Sequence, residues 1–336
     1  MTYLYQIDKI NKFPLASYLE TITVAIKSIT KDGRVLPSAP RSVQGFFDQL
    51  LSVSRMITVT FIRHGQSEDN VKNIWAGWKD SPLSEHANAL GQSLASTRIT
   101  HIYASPLQRA YTTAQYVQHY QRAPKPPLTT NPHLREQHFG IAEGHPWVLQ
   151  QPEDVSVEEL YEQKIFPVLY GREAKYPGAE SLDELAQRTE IAIRECVLPH
   201  LQQQRSLHPE GAQMSVQEEG ECGSGDGVHV AIASHGLCIA ELISALLKLD
   251  PHAPTMSRFG GLSNTAWTRM NVRIREGHQG PFDLSNPPPL EVIVTHTKER
   301  DHLKSVNDIP HVELDAASVE ARAFFGGESL SVPQSK

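Results

Sequence analysis

Residues 56–70 read Met-Ile-Thr-Val-Thr-Phe-Ile-Arg-His-Gly-Gln-Ser-Glu-Asp-Asn, and the reading of this stretch decides the fold. Ile57 to Ile62 is an apolar, β-branched run too short for a helix and stopped by polar residues and a glycine, the pattern of a buried strand. Arg63, His64 and Gly65 stand at its carboxyl end. In open α/β sheets the ligand crevice lies outside the carboxyl ends of the strands, so a reactive side chain there faces a ligand and not the core. Arg63 carries a fixed charge with planar donors suited to phosphate or carboxylate. His64 can serve as nucleophile, base or ligand near neutral pH, and Gly65 permits close backbone approach. Taken alone, the stretch reads equally well as a wet loop.

Outward from it, residues 71–84 form a loop holding Trp75, Gly77, Trp78 and Pro82, its tryptophans more in keeping with packing under the loop than with lining a pocket. Glu85 to Ser96 is helical in composition, and Thr100 to Ala104 is a second short strand. Ser105-Pro106 then predicts a helix with serine as N-cap and proline at its first position. Leu107, Ala110, Tyr111, Ala114 and Val117 give its buried stripe. Arg109 falls in its first turn, near the same carboxyl edge as His64. Residues 123–132 are Pro-rich and predict a turn, leading to Leu134–Gly140 as a strand running into a loop. Residues 141–178 lack sustained periodicity apart from a short helix near Val157 to Lys164. Ser181 opens a helix through a capping box with Glu184, with Leu182, Leu185, Thr189, Ala192 and Cys196 as its apolar face and an end near Pro199 or soon after.

Val228 to Ala233 is a buried strand ending, like the first, in a His-Gly pair: Ser234-His235-Gly236. The helix after it, Leu237 to Leu249, is apolar on most sides and therefore interior. Trp267 to Ile274 and Leu290 to Thr295 read as further strands. Strands alternating with helices predict an α/β fold, a three-layer sandwich with a mostly parallel central sheet and helices on both faces.

The chain has 336 residues, enough for one large domain with appendages. Residues 1–55 form an N-terminal extension of unknown role, without the apolar core of a secretory signal. Met56 stands one residue before the first clear strand, where a shorter form could begin. Residues 56–311 are the expected folded domain, with a Gln-, Glu- and Gly-rich disordered insertion at 203–227, and 312–336 a tail. Gly223-Ser-Gly225-Asp-Gly227 precedes a strand instead of following one, which speaks against a dinucleotide loop. The net charge of −7, from 31 basic and 38 acidic residues, disfavours binding to nucleic acid through phosphate neutralisation. No apolar run approaches the roughly 18 residues that would predict a membrane span. Cys196, Cys222 and Cys238 show no paired spacing, as in a reducing compartment; the expected location is the cytoplasm, with the nucleus open as well. Oligomeric state is not legible.

Arg63-His64, Arg109 and His235 put arginines and histidines beside strand ends and helix starts, which together make an anion site. These residues resemble a known family. Arg63-His64-Gly65-Gln66-Ser67 with Asn70, Arg109 in Ser-Pro-Leu-Gln-Arg-Ala, Glu136 in Leu-Arg-Glu-Gln-His-Phe-Gly, and Ser234-His235-Gly236 look like the histidine phosphatase superfamily, in its phosphoglycerate-mutase-like branch. The likeness runs over about residues 57–300 with the motif order kept, and Pro177-Gly-Ala-Glu-Ser181 with Asp183 and Arg188 resembles the segment opening a long helix in that branch. One departure lies in the helix after Leu83-Ser84, where the family usually has a glycine and a glutamine and where His86-Ala87-Asn88-Ala89-Leu90 runs short by a few residues; it touches helix packing more than the catalytic set.

The resemblance implies that His64 is the nucleophile, attacking phosphorus to form a phosphohistidine. It implies that Arg63, Arg109 and His235 hold the phosphoryl oxygens, with Asn70 and Gly236 among the substrate-binding residues. It assigns to Glu136 the protonation of the leaving alcohol and deprotonation of the attacking water; locally Glu136 reads as an ordinary surface carboxylate. No metal and no cofactor are expected, since the arginines neutralise the charge. Residues 141–180 offer Lys164, Arg172 and Lys175 but no arginine pair of the mutase kind, and Gly140-Ile-Ala-Glu-Gly144 is nearer the phosphatase and fructose-2,6-bisphosphatase-like members. Hydrolysis of a small phosphorylated metabolite is therefore the expected activity. Phosphoglycerate mutase and a non-catalytic interaction module are the alternatives.

Overall fold

Ile57–Arg63 forms strand β1 at the centre of a six-stranded sheet in the computed structural model, which describes residues 56–83, 86–148, 151, 154–207, 227–253, 262–278 and 280–303. Helices α1 (Glu68–Lys72) and α2 (His86–Ser93) follow, then strand β2 (His101–Ala104), helix α3 (Gln108–Tyr120) and strand β3 (Leu128–Thr130). A two-stranded ribbon, β4 (Trp147–Val148) and β5 (Phe166–Pro167), flanks helix α4 (Val157–Glu162). Helices α5 (Leu182–Cys196) and α6 (Leu198–Leu207), strand β6 (His229–Ser234), helix α7 (Gly236–Leu247) and strands β7 (Trp267–Ile274) and β8 (Leu290–Glu299) complete the order.

The sheet runs β3-β2-β6-β1-β7-β8. The first four strands are parallel, and β7 and β8 are antiparallel at one edge. Alternation along each strand sends side chains to two separate cores. On one face Val59, Phe61, Val230, Ile232, Met270 and Val272 pack under Leu185, Ile193, Leu201, Leu242 and Leu246 of α5, α6 and α7. On the other, Ile62, Ile102, Ala104, Ala231 and Ala233 meet Leu90, Leu94, Ala114 and Val117 of α2 and α3. The result is the expected three-layer sandwich with a mostly parallel sheet. Each fully buried Leu or Ile contributes about 1.5–3 kcal/mol, so the two central strands anchor the whole domain. No helix among the described residues is long and apolar enough to cross a membrane.

Several local expectations differ from the structure. Ser105 is not a helix N-cap: α3 starts at Gln108 behind Leu107, whose side chain makes no cap bond. The supposed turn at 123–132 contains edge strand β3, paired in parallel with β2. Leu134–Gly140 is not a strand; a 3₁₀ turn at Pro132–Leu134 leads into irregular backbone. The helix opened by Ser181 ends at Cys196, close to Pro199 as expected, but a second helix, α6, follows at once, with Pro199 in its first turn, where its missing N–H costs nothing. That helix runs to Leu207, so the polar insertion begins later than residue 203, and 208–226 lie outside the described residues. The extension 1–55 and the tail 312–336 lie outside them too.

Candidate active site

Parallel register sets Arg63 beside Ser234 and Ala104 beside Ala233, so the chain leaves β1, β6 and β2 at one level. The next residues, His64, His235 and Ser105, therefore emerge side by side. The amide of His64 donates to the Ser234 carbonyl and that of Ser105 to the Ala233 carbonyl, both at 3.0 Å. The rings of His64 and His235 lie 5.0 Å apart between centroids, tilted by 57°, and are buried at 3% and 0% exposure.

The hydrogen bonds assign the tautomers. His64 Nδ1 is 2.6 Å from the Gly65 carbonyl oxygen, which can only accept, so Nδ1 holds the proton and the lone pair is on Nε2. His235 Nε2 is 2.8 Å from Ser105 Oγ, itself an acceptor for the Leu107 amide at 3.3 Å. The Ser105 hydroxyl is then free to donate to Nε2, leaving a proton on Nδ1, a buried atom without a protein partner. Burial holds both imidazoles well below their ordinary pKa, and the charges of Arg109 and Arg63 add to the effect. Both rings are neutral at physiological pH.

Arg109 is 2% exposed, and its Nη1 and Nη2 donate to the carbonyls of Lys79 and Gly77, each at 2.7 Å. Arg63, 7% exposed, donates to the Leu262 carbonyl. Main-chain oxygens steer these guanidiniums without cancelling their charge, which suits an anion. The amide of Gly65 donates to Thr113 Oγ1 (3.0 Å), which donates to the Arg109 carbonyl (2.7 Å). This ties the His64 loop to the helix that carries Arg109.

Glu136 lies across the front of α7. Its Oε1 accepts from the amides of Gln137 and Cys238, both at 3.0 Å, and its Oε2 from that of Leu237 at 3.3 Å. His235 is the N-cap of α7 without a side-chain cap bond, and Glu136 supplies the cap from 101 residues away. Burial raises the carboxyl's pKa; the amides, Arg109 and Arg63 pull it down, and burial wins. Gly236 is the first residue of α7 and is buried.

Asn70, in the capping box of α1 with Ser67, has its Oδ1 fixed by three donors: Ser67 N (3.2 Å), Ser67 Oγ (3.0 Å) and Asn264 Nδ2 (3.1 Å). Its amide nitrogen is thereby turned the other way, a donor available to a ligand. Asn264 Nδ2 also donates to the carbonyls of His64 (3.2 Å) and Gly65 (3.3 Å). Among the described residues no group of three or more His, Cys, Asp or Glu side chains is placed to share a metal ion.

The structure thus gathers Arg63, His64, Asn70, Arg109, Glu136, His235 and Gly236 at one sheet edge. It adds residues that sequence reasoning missed. Ser105 was taken for a cap and fixes His235. Asn264 sits just before β7, and no local pattern marks it, because its partners lie about 200 residues away. Arg188 donates through Nη1 to the carbonyls of His133 and Arg135 and through Nη2 to that of Glu136 (3.0 Å), and forms a two-pronged pair with Glu180. Trp75 does pack in the core, but Trp78 reaches the site, donating Nε1 to the Glu136 carbonyl at 2.7 Å.

A model of the histidine phosphatase superfamily (branch 1) matches residues 59–207. A protein of Yersinia enterocolitica named "Probable phosphoglycerate mutase GpmB" is 30% identical over 223 residues, covering 65% of this chain and 86% of that protein. The protein of that name in Photorhabdus laumondii is 29% identical over 222 residues, with the same coverage. A solved structure, "Mycobacterial hydrolase 1", superposes on 72% of this chain and 98% of its own with a TM-score of 0.50 at 22% identity, a likeness of fold. Together with the motifs seated at the ends of β1 and β6, these matches show that the chain belongs to the histidine phosphatase superfamily.

Proposed function

We propose that the protein is a phosphomonoester hydrolase that works through a phosphohistidine at His64, on a small phosphorylated metabolite. The observation that carries this reading is the His64 imidazole donating its Nδ1 proton to the Gly65 carbonyl, which leaves the Nε2 lone pair open, grouped with two buried guanidiniums and a buried carboxyl. In this reading His64 Nε2 attacks phosphorus as the P–O bond to the alcohol breaks, and the leaving oxygen takes the proton of Glu136. The resulting carboxylate then takes a proton from water. That water attacks the phosphohistidine, the P–N bond breaks, and phosphate leaves with His64 neutral again. Arg63, Arg109, His235 Nδ1 and the Asn70 amide offset the charge of the phosphoryl oxygens. The incoming dianion raises the Glu136 pKa further and keeps it protonated for the first step.

The name shared by the relatives favours a second reading, phosphoglycerate mutase. A mutase must hold a second anionic group of the substrate. Arg172 is engaged with Asp183 (2.6 Å) and Glu241 (2.9 Å), and Lys175 with Glu184 (2.7 Å), while Lys164 is exposed. The pairing of Arg172 and Lys175, two of the three Lys and Arg residues between 141 and 180, supports hydrolysis. The intact motif set also speaks against a non-catalytic module, though fold alone does not establish activity.

The test is phosphate release from sugar phosphates, nucleotides and phosphoglycerates by wild type and His64→Ala. Wild type is expected to exceed the variant by about a thousandfold or more on its best substrate. Equal rates would reject the enzyme. Interconversion of 3- and 2-phosphoglycerate far faster than any phosphate release would establish the mutase instead.

A further inference from the structure

We infer that Trp78 is a positioning residue for Glu136, and that Gly77-Trp78-Lys79 sets the place of that carboxyl relative to the guanidinium of Arg109. The inference rests on the hydrolase reading above. The carbonyls on either side of Trp78, those of Gly77 and Lys79, are the ones that hold Arg109. Between them, the Trp78 amide donates to Glu143 Oε1 (2.8 Å) and the indole Nε1 to the main-chain carbonyl of Glu136 (2.7 Å). Three consecutive residues thus grip the phosphate-facing arginine and the backbone of the acid.

The indole is itself fixed by residues flanking Glu136. The Arg135 guanidinium carbon lies 3.5 Å from the ring centroid, and the His138 ring is at 4.7 Å. Gly77 has φ +49°, where a side chain is strained, and a Cβ there would meet Glu143 Oε1 at 2.0 Å and push that carboxylate away from the Trp78 amide. Glu143 Oε1 also accepts from the Phe139 amide at 3.1 Å, which closes the loop around the acid. Proton transfer to a leaving group depends steeply on placement, and misplacement by about 1 Å can cost a hundredfold. Trp78 therefore acts on the two proton transfers of Glu136, to the leaving group and from the attacking water, and little on attack by His64.

Trp78→Phe keeps a ring against Arg135 and deletes the N–H. Wild type, Trp78→Phe and His64→Ala are compared on phenethyl phosphate, whose alkoxide needs a proton, and on p-nitrophenyl phosphate, whose phenolate does not. The loss of kcat/KM in Trp78→Phe, which reports only the steps up to formation of the phosphohistidine, is expected to be about tenfold greater on the alkyl ester, the size of one hydrogen bond. Turnover of p-nitrophenyl phosphate reports that the variant is folded; if it is not, Trp78→Tyr, which also lacks the indole N–H, repeats the comparison. An equal loss of kcat/KM on both esters, or none, overturns the positioning role and leaves the hydrolase reading standing. Wild type no faster than His64→Ala on either ester removes the hydrolase reading, and this inference with it.

Discussion

Glu136 is pulled two ways, and its protonation is where a single side chain would set the pH behaviour of the proposed hydrolysis. Burial favours the neutral acid, while the amides at the head of α7 and two arginines favour the carboxylate, with burial dominant. His64 is held well below its ordinary pKa by burial and by Arg109 and Arg63, so under mildly acidic conditions it keeps the free lone pair that the proposed hydrolysis needs. In that proposal the active form has both groups neutral. Acidification therefore does not silence His64 until far below pH 6.5, whereas raising the pH through the elevated pKa of Glu136 removes the proton that the alcohol needs. Turnover of an alkyl phosphate is expected to be highest at mildly acidic pH and to decline on the alkaline side. Glu136→Gln should lose that alkaline decline and slow the alkyl ester about 10²–10⁴-fold, with a smaller loss on p-nitrophenyl phosphate. The phosphate of the substrate also ionises near pH 6, in both enzymes alike, so the difference between their pH–rate profiles isolates the carboxyl. A Gln variant with the wild-type alkaline limb would reassign the acid.

At the scale of elements, α5 carries the brace of the Glu136 segment, because Arg188 projects from it. Its first turn closes reciprocally: Ser181 N donates to Glu184 Oε2 at 2.8 Å, and Glu184 N to Ser181 Oγ at 3.2 Å. Ser181→Ala should cost about 1 kcal/mol, read as a lower urea midpoint with an unchanged m-value. Gly140→Ala should cost more. Gly140 has φ +56° and a Cβ there would stand 2.2 Å from the Pro177 carbonyl, so the loop carrying Glu136 would be levered off the turn before α5. An alanine variant as stable as wild type would contradict that docking. These two positions also mark what the sequence disclosed. The Ser181 cap was legible because both partners lie within one turn. Strands β1 and β6 and helix α7 were legible because layers cover them on both sides and force continuous apolar runs. Edge strand β3 was not: Leu128, Thr129 and Thr130 follow two prolines, face mostly outward and show no alternation. The segment around Glu136 imitated a strand because its shape comes from Arg188 and Trp78, each more than 50 residues distant. His64 and His235 could be read from the strands before them; Asn264 and Ser105 could not, since their importance exists only after folding.

Over the whole molecule, four described histidines are buried as neutral rings: His64 and His235 at the site, His200 and His229 away from it. His229 Nε2 lies 2.7 Å from Thr60 Oγ1, and burial, with Arg269 nearby, lowers its pKa to about 3. His200 Nε2 lies 3.0 Å from the Tyr103 hydroxyl, and burial, with His101 beside it, lowers it to about 4. In the unfolded chain each ring titrates near pH 6.5. Below that pH the unfolded state binds protons that the native state refuses, so the stability these rings contribute is complete above pH 6.5. It is lost as the pH falls toward about 4 for His200 and about 3 for His229. Each proton of difference is worth up to about 1.4 kcal/mol per pH unit. Glu136, with its pKa raised, acts in the opposite sense, but it is one group against four. Acidification should thus weaken the fold over the same range in which the proposed hydrolysis quickens. The urea midpoint is expected to be clearly lower at pH 5.5 than at pH 7.5. His200→Gln, with nothing to protonate, should flatten the dependence by up to one proton's worth. A midpoint that does not move across this range would mean that these rings accept protons inside the native structure, and would sink the account of the two site imidazoles as neutral; a His200→Gln slope identical to wild type would overturn the account of His200.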